Sequence, residues 1–409
     1  MRGKKDQQPS MFYALDVEDR IRPDHPLRAI KKLVDEDLSH MGQLFNKAYS
    51  DVGRPSVPPE RLLKAMLLQA LYSIRSERQL VERIDTDLLF RWFLDMDPAC
   101  DSFDATAFTH NRPRLDAFGI TAAFFAGTVR RAIAKNLASE DHFSVDGTLI
   151  ESYASIKSFV TKEQAAKKKD SNDSNDKNDK GGGNSFKSSN PEVDFHGQKR
   201  TNETHISTSD PEALLYKKSK GKEAKLCHMG HVMTENRRGL VLAVKVSEAS
   251  GTAEPEAALA MLNEIKKLHQ VKPKTLGADK GYDSGPFLLK LESWKGGKLV
   301  PHVAIKDGKI GGENPERRKD KKAIAARQRM QARMKTTGYK LSQKTRKKSE
   351  EAFGWIKSIA GMARTKLVGR WKILQQFQMG AAAYNIVRMT RLLSGRCKRS
   401  LTVASRLAA

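Results

Sequence analysis

The stretch Thr275–Asp283, with the sequence TLGADKGYD, decides the fold class of this chain. Thr275–Asp279 has the character of a short buried strand, and Asp279 is its last residue. Gly281 and Asp283 follow closely, and both residue types favour turns. A short buried strand that ends in an acidic turn is typical of the interior of an α/β sheet.

The segments around this strand extend it into a mixed sheet. Glu254–His269 before it and Gly285–Trp294 after it have the apolar spacing of helices. Further strands are predicted over residues 142–146, 226–233, 239–246 and 298–305, and basic helices over 319–333, 345–359 and 371–393. This order of strands and helices predicts an α/β domain with a mixed sheet, followed by a basic helical C-terminal part.

Three acids in these elements are candidate metal ligands. Asp146 ends the predicted strand at residue 142–146, Asp279 ends the strand quoted above, and Glu350 lies on a basic helix. Acids at adjacent strand ends and on a packed helix can converge, and their oxygens suit Mg²⁺ or Mn²⁺. A pair of such ions assists phosphodiester displacement. Taken singly, each aspartate is equally compatible with an ordinary turn.

The helix that carries Glu350 also presents two cations. Arg346 lies four residues before Glu350 and Lys357 lies seven after it, so all three fall on one helical face. An acid between two cations suits a metal ligand beside DNA phosphates, and Arg346 and Lys357 are therefore predicted DNA-binding residues. A solvated face with a salt bridge between Arg346 and Glu350 is the alternative.

Residues 1–135 are predicted to be helical throughout. Breaker clusters and capping residues divide this region into short amphipathic helices. Ser76–Leu115 is compatible with a helix-turn-helix unit and equally with an ordinary helical bundle. Arg112 and Arg114, in the last of these helices, are the DNA-binding candidates of the region.

Composition and charge narrow the classes of protein that remain. The chain has 74 Lys and Arg against 48 Asp and Glu, a formal net charge of +26, which favours a polyanionic partner such as DNA. Residues 301–409 alone hold 27 Lys and Arg against 6 Asp and Glu. Three scattered cysteines exclude a disulfide scaffold and suit a reducing compartment. We expect no signal peptide, no membrane span and a cytoplasmic location.

A low-complexity segment interrupts the α/β region. Residues 167–190 consist of Lys, Asp, Asn, Ser and Gly with one apolar residue, Phe186, so residues 163–200 are predicted to be a disordered insert. The domains are accordingly predicted as a helical N-terminal domain over 1–135, a catalytic domain over 136–393 that contains the insert, and a basic tail over 394–409.

These motifs resemble the DDE transposases of bacterial insertion sequences, in the large family whose type member is insertion sequence five. The resemblance runs from about Pro23 to Arg391, and its most specific stretches are Ser144–Glu151, Thr208–Glu254, Ala278–Ser284 and Ser342–Lys357. In that group the last acid lies in a pattern of Tyr, two residues, Arg, three residues, Glu, six residues and Lys. Arg346, Glu350 and Lys357 match this pattern, and Gln343 stands where the family has Tyr.

The resemblance implies an RNase H-like mixed-sheet core in which Asp146, Asp279 and Glu350 are the catalytic, metal-binding triad. It implies two Mg²⁺ or Mn²⁺ ions as cofactors. It also implies an all-α N-terminal domain that recognises element ends, double-stranded DNA as the partner, assembly of a homodimer on DNA, and a bacterial, nucleoid-associated location.

The function expected on this basis is that of a transposase. Such an enzyme binds the inverted repeats at its element ends, cleaves phosphodiester bonds by two-metal-ion catalysis and joins the freed 3′-OH to target DNA. Two alternatives remain at this point: an RNase H-like nuclease without strand transfer, and a catalytically inactive sequence-specific DNA-binding protein.

Overall fold

The computed structural model describes residues 16–50, 52–53, 55–170, 200–217, 223–306 and 320–394. These residues form two compact units, one with the residues up to Ile120 and from Thr390 onward, the other with Thr121–Met389. Most of the predicted insert, residues 171–199, and residues 395–409 of the predicted basic tail lie outside the described residues.

The N-terminal unit is helical, as the sequence predicts. Its helices are α1 (Val17–Arg20), α2 (Pro26–Ser39), α3 (Gly42–Ala48), α4 (Pro59–Leu71), α5 (Glu77–Thr86), α6 (Leu88–Phe93) and α7 (Thr106–Ala117). α4 is apolar on nearly all sides and supplies four fully buried leucines to the core, Leu62, Leu63, Leu67 and Leu68. Lys64 on the same helix is also buried, and it forms ion pairs with Asp35 and Asp95.

The second unit is built on a mixed sheet. Its strands are β1 (His142–Ser152), β2 (Phe159–Thr161), β3 (His205–Ser207), β4 (Leu214–Tyr216), β5 (Lys225–Glu235), β6 (Val241–Glu248), β7 (Thr275–Ala278), β8 (Val300–Val303) and β9 (Arg364–Thr365). Its helices are α8 (Ile120–Ala134), α9 (Lys162–Asp170), α10 (Ala253–His269), α11 (Gly285–Glu292), α12 (Lys321–Arg333), α13 (Thr337–Thr345), α14 (Lys347–Ser358) and α15 (Arg370–Leu393). α8 groups mainly with this unit, and α15 does so up to Met389.

The strand order confirms the predicted fold class. β6, β5 and β1 form an antiparallel meander, and β7 and β8 continue the sheet in parallel with β1. α10 connects β6 to β7 and α11 connects β7 to β8. This arrangement is the RNase H-like mixed sheet that the sequence resemblance implies.

β1 is longer than the sequence predicts. The prediction ends the strand at Asp146, because Asp146–Gly147 has the composition of a turn. β1 instead continues to Ser152, and its residues 143–151 pair with β5 in the antiparallel register. The hydrogen bonds of that long ladder override the local turn preference. Asp146 therefore lies within β1 and not at its end.

Helices cover the sheet on both faces. Cys227 and Met229 of β5 pack against Ala249, just after β6, and against Ala253, the first residue of α10. On the opposite face the Thr234 hydroxyl hydrogen-bonds that of Ser349 on α14 at 2.6 Å. Because β5 is covered on both faces, its residues 226–235 are all buried.

Two predicted segments differ in detail from the structure. The helix predicted over 345–359 is α14, Lys347–Ser358, but the helix that precedes it, α13 (Thr337–Thr345), was not predicted. The predicted disordered insert begins too early, because α9 occupies its first residues and the Thr161 hydroxyl caps that helix by accepting from the Gln164 backbone N–H. Within the described ranges, none of the helices combines the length and apolar character needed to cross a bilayer.

Candidate active site

The register of the parallel strands places two aspartates side by side. β1 and β7 pair up to Ser144 and Gly277, and Asp146 and Asp279 each lie two residues beyond that pair. Equivalent positions on neighbouring parallel strands lie at the same edge of a sheet, so the two carboxylates converge. Asp279 also caps a short 3-10 turn, because its Oδ1 accepts a hydrogen bond of 2.8 Å from the Gly281 N–H.

Asp146 is the more enclosed of these acids and has an unusual ionisation. Its side chain is 16% exposed, and its Oδ1 accepts a hydrogen bond of 2.9 Å from the Gly147 N–H. Burial raises the pKa of Asp146 to about 6, and the negative charges of Asp279 and Glu350 add to this rise while Arg346 opposes it. Ionisation of Asp146 in this enclosed position is therefore unfavourable mainly because the carboxylate loses its contact with water.

Glu350 reaches the same place from α14. The Arg346 guanidinium lies 3.6 Å from Asp146 Oδ2 and, through its other terminal nitrogen, 3.6 Å from Glu350 Oε1. Arg346 thus links the strand acid to the helix acid. The Glu350 side chain is 57% exposed, in contrast to that of Asp146.

Gln343 connects α13 to the ends of two strands. Its Nε2 donates to the Ala278 carbonyl at 3.2 Å and to the His302 carbonyl at 2.7 Å. Ala278 immediately precedes Asp279, so this amide fixes α13 beside the acidic turn. An amide with two N–H donors can satisfy both carbonyls at once, whereas the hydroxyl of the family's Tyr has one.

Comparison with known proteins assigns the chain to a family. A model described as a transposase domain (DUF772) matches residues 15–114, and a model described as a transposase DDE domain matches residues 196–386. This chain belongs to the DDE transposase family. Asp279 and Glu350 fall within the second match, whereas Asp146 lies between the two matches and is placed by strand register alone.

A solved structure of another transposase is remotely similar. The cryo-EM structure of a piggyBac transposase synaptic complex with hairpin DNA is 10% identical, with 90% of this chain and 76% of that chain covered and a TM-score of 0.39. A search of curated proteins found no significant match.

The four predicted DNA-binding residues of this transposase lie in different surroundings. Arg346 contacts the acids, and Lys357 is partly buried on the same helix as Glu350. Arg114 is exposed, and its guanidinium lies 4.6 Å from the centre of the Tyr49 ring. Arg112 is only 6% exposed and forms an ion pair with Glu77.

Burial changes what can be expected of Arg112. A buried and paired guanidinium cannot reach a DNA phosphate unless that pair breaks. Arg114 is therefore the DNA-binding candidate of α7, and Arg112 stabilises the helical unit through its ion pair with Glu77.

One carboxylate at this edge of the sheet was not predicted from the sequence. Glu254, in the first turn of α10, lies beside Gly147 of β1 and beside Gly281 of the turn that follows Asp279. A glutamate in the first turn of a helix is so common that the sequence gives no reason to single it out. The only available signal was indirect: Gly147 and Gly281 follow the two aspartates closely and leave space for another side chain.

The donor set fits a divalent cation. In the part of the chain that the structure describes, no group of three or more His, Cys, Asp or Glu side chains stands ready to hold a metal ion. The converging groups are nevertheless all carboxylates, which are the ligands that Mg²⁺ and Mn²⁺ prefer. Burial raises the pKa of Asp146, and a bound cation would stabilise the ionised carboxylate there.

Proposed function

We propose that this transposase binds the inverted repeats at the ends of its element, cleaves phosphodiester bonds there and joins the freed 3′-OH to target DNA. The observation that supports the proposal most is the equivalent placement of Asp146 and Asp279 on neighbouring parallel strands, with Glu350 linked to Asp146 through Arg346. This arrangement supports a shared role for the three acids.

Asp146, Asp279 and Glu350 would hold two Mg²⁺ or Mn²⁺ ions. When bound, these ions supply Lewis-acid stabilisation of the charge on the attacking and leaving oxygens of a phosphodiester. Asp146 has to be ionised to take part, and its pKa of about 6, raised mainly by burial, leaves it largely ionised at neutral pH. Glu350, being exposed, can adjust its position when DNA enters.

The cations of the site are assigned to the DNA backbone. Arg346 has the planar fork that binds a phosphate through two N–H groups, whereas Lys357 supplies a point charge on the same helix. Residues 1–135 would recognise the element ends, with Arg114 as one phosphate contact, and the basic tail over 394–409 would add nonspecific affinity. The enzyme would act as a homodimer on double-stranded DNA in the cytoplasm, associated with the nucleoid.

The experiment is a cleavage and joining assay on DNA duplexes that carry the inverted repeats flanking the gene. D146N, D279N and E350Q keep the volume of each side chain and remove its charge. Each variant is expected to bind the repeats as the wild type does and to lose cleavage by on the order of a thousandfold or more, since several kcal/mol of charge stabilisation disappear.

The matched control is E351Q. Glu351 is the neighbour of Glu350 on α14 and is 61% exposed, and it faces Arg388 at 3.6 Å, away from the site. E351Q is expected to cleave normally. Near-normal cleavage by one triad variant removes that residue from the site, and cleavage without joining by the wild type identifies a nuclease and refutes the transposase chemistry.

A further inference from the structure

An exposed tyrosine ring contacts two cations just beyond the end of β1. Tyr153 follows Ser152, the last residue of β1, and is 56% exposed. The guanidinium carbon of Arg364 lies 4.5 Å from the centre of the Tyr153 ring, and Lys366 Nζ lies 6.0 Å from it. We call Tyr153, Arg364 and Lys366 the Tyr153 surface.

Strand pairing brings the three side chains of the Tyr153 surface together. β9 pairs in parallel with the end of β1, and Arg364 lies opposite Glu151. Side chains alternate along an extended chain, so Arg364 and Lys366 are exposed on one side while Thr365 between them is buried on the other. Tyr153 lies two residues after Glu151, as Lys366 does after Arg364. The backbone pairing therefore holds the ring beside both cations.

The charged groups around the ring are mainly cations. Glu151 Oε2 accepts from Lys225 Nζ at 3.1 Å, and Glu151 Oε1 lies 3.8 Å from Arg364 Nε. Lys366 forms no ion pair with any residue that the structure describes. One acid thus faces three cations, and the excess of positive charge favours a polyanion.

Exposure distinguishes Tyr153 from the other aromatic rings that contact a cation. Within the described ranges those rings are buried or half-buried: Tyr49, Tyr72, Phe90, Trp92, Trp371 and Tyr384. A cation over a covered ring stabilises the fold. The exposed ring of Tyr153 instead keeps area open to a planar group, and proteins that bind single strands stack bases on such rings and bind the phosphates with nearby cations.

We propose that the Tyr153 surface binds an unpaired stretch of the substrate DNA, with a base stacked on Tyr153 and a neighbouring phosphate on Lys366. This inference rests on the proposed function, because the strand ends that cleavage frees supply the unpaired bases. Tyr153 lies seven residues after Asp146, roughly 23 Å along an extended strand, so the Tyr153 surface is separate from the acids. A base inside a duplex is already stacked on both sides, so the ring distinguishes unpaired strands from paired ones.

The test compares binding of a labelled single-stranded oligothymidine with that of a labelled duplex of the same length. Fluorescence anisotropy measures both affinities for the full chain, with a chelator present. Y153A is expected to bind the single strand about tenfold more weakly, because base stacking on the ring is lost. Its affinity for the duplex should be unchanged. Y153F keeps the ring and is expected to bind both as the wild type does.

The matched control is L268A. Leu268 lies on α10 and is 49% exposed, so its loss removes a comparable exposed side chain elsewhere in the same unit. L268A should bind both DNA forms as the wild type does, and circular dichroism checks that each variant is folded. If Y153A does not fold, Y153L removes the ring and keeps an apolar side chain. Equal losses for the two DNA forms, or wild-type binding of the single strand, overturn the stacking role.

Salt dependence tests the phosphate contact separately. K366A should reduce the slope of log affinity against log salt for the single strand by roughly 0.7, since one phosphate contact is lost. K274A is the control, because Lys274 lies beside the other end of β1 and pairs with Asp141 at 2.7 Å. It should leave the slope unchanged. An unchanged slope in K366A removes Lys366 from the Tyr153 surface.

The outcomes separate this inference from the proposed function. Wild-type binding of the single strand by Y153A, together with loss of cleavage by D146N, overturns the role of the Tyr153 surface and leaves the proposed function intact. Weaker binding by Y153A, together with normal cleavage by D146N, supports the Tyr153 surface and removes Asp146 from the active site. Tighter binding of an oligouridine than of the oligothymidine by the wild type overturns the assignment to DNA.

Discussion

Asp146 and Asp279 belong to the sheet, whereas Arg346 and Glu350 belong to the helices packed on it. The strand acids are fixed by backbone register, and Asp146 is 16% exposed. The helix acid Glu350 is 57% exposed and is linked to the strands through Arg346 contacts of 3.6 Å. The difference suggests a division of roles, in which the sheet supplies fixed charge at an energetic cost and the helices supply charge that adapts to DNA.

The largest expected effect concerns the free energy of unfolding that is lost when the buried Asp146 ionises. The pKa of Asp146 is raised by burial from 3.8 to about 6, so the folded protein holds that proton more tightly than the unfolded chain does. The free energy of unfolding therefore falls as the pH rises from about 4 to about 6, by up to about 3 kcal/mol. D146N removes this loss and should be more stable than the wild type at pH 7.5.

Urea unfolding with a chelator present, at pH 4.5 and pH 7.5, measures this effect. The advantage of D146N should be largest at pH 7.5 and smaller at pH 4.5. The exposed Glu350 serves as the comparison, since E350Q should change the free energy of unfolding by no more than about 0.5 kcal/mol. A D146N variant less stable than the wild type at pH 7.5 contradicts the contrast between the two acids.

The second prediction concerns Arg346, which lies between the strand acid Asp146 and the helix acid Glu350. R346A should lower the cleavage rate at saturating Mg²⁺ on the order of a hundredfold, because a preorganised charge that contacts the phosphate is lost. R346K should recover only part of the rate, since it lacks the bidentate fork. The Mg²⁺ concentration at half-maximal rate should fall, because a cation that competes for Asp146 and Glu350 is gone.

A Mg²⁺ titration of the cleavage rate distinguishes two roles of Arg346. A higher Mg²⁺ requirement with an unchanged saturated rate would show that Arg346 organises the metal site. In that case its assignment to the DNA phosphate is wrong.

The third prediction concerns Gln343, which ties the helices to the strands. Q343A removes two hydrogen bonds, to the carbonyls of Ala278 and His302, and should lower the free energy of unfolding by about 1–3 kcal/mol. K344A, at the exposed neighbouring position, is the control and should leave stability unchanged. Equal stabilities of the two variants would show that the Gln343 bridge contributes nothing.

The smallest expected effect extends the contrast between buried and exposed charge to α7. R114A should reduce the slope of log affinity against log salt for DNA by about one, since one phosphate contact is lost. R112A should leave that slope unchanged and destabilise the helical unit, because Glu77 then loses its buried partner. An unchanged slope in R114A removes that residue from the DNA interface.

Elements with a strong local pattern were predicted well from the sequence. The helix predicted over 254–269 is α10, Ala253–His269, and the strand predicted over 226–233 is β5, Lys225–Glu235. In both elements the apolar residues of the sequence pattern are the ones that the structure buries, so local preference and tertiary packing favour the same structure.

Elements that depend on distant partners were predicted less well. β1 continues past Gly147 because β5 pairs with it, and the residues near Gly147 do not predict that pairing. The start of α13 at Thr337 was not predicted either, and that helix is tied to the strands through the hydrogen bonds of Gln343. Such boundaries are decided by contacts between residues far apart in sequence.

By itself, the sequence determined the fold class, the helical N-terminal region, the strand that ends at Asp279 and the family motif around Glu350, because periodicity and residue type are local properties. Only the tertiary structure decided that Asp146 and Asp279 occupy equivalent strand positions and that Arg112 is buried while Arg114 is exposed. Convergence of charges depends on register and packing between distant segments, and no local pattern of residues encodes it.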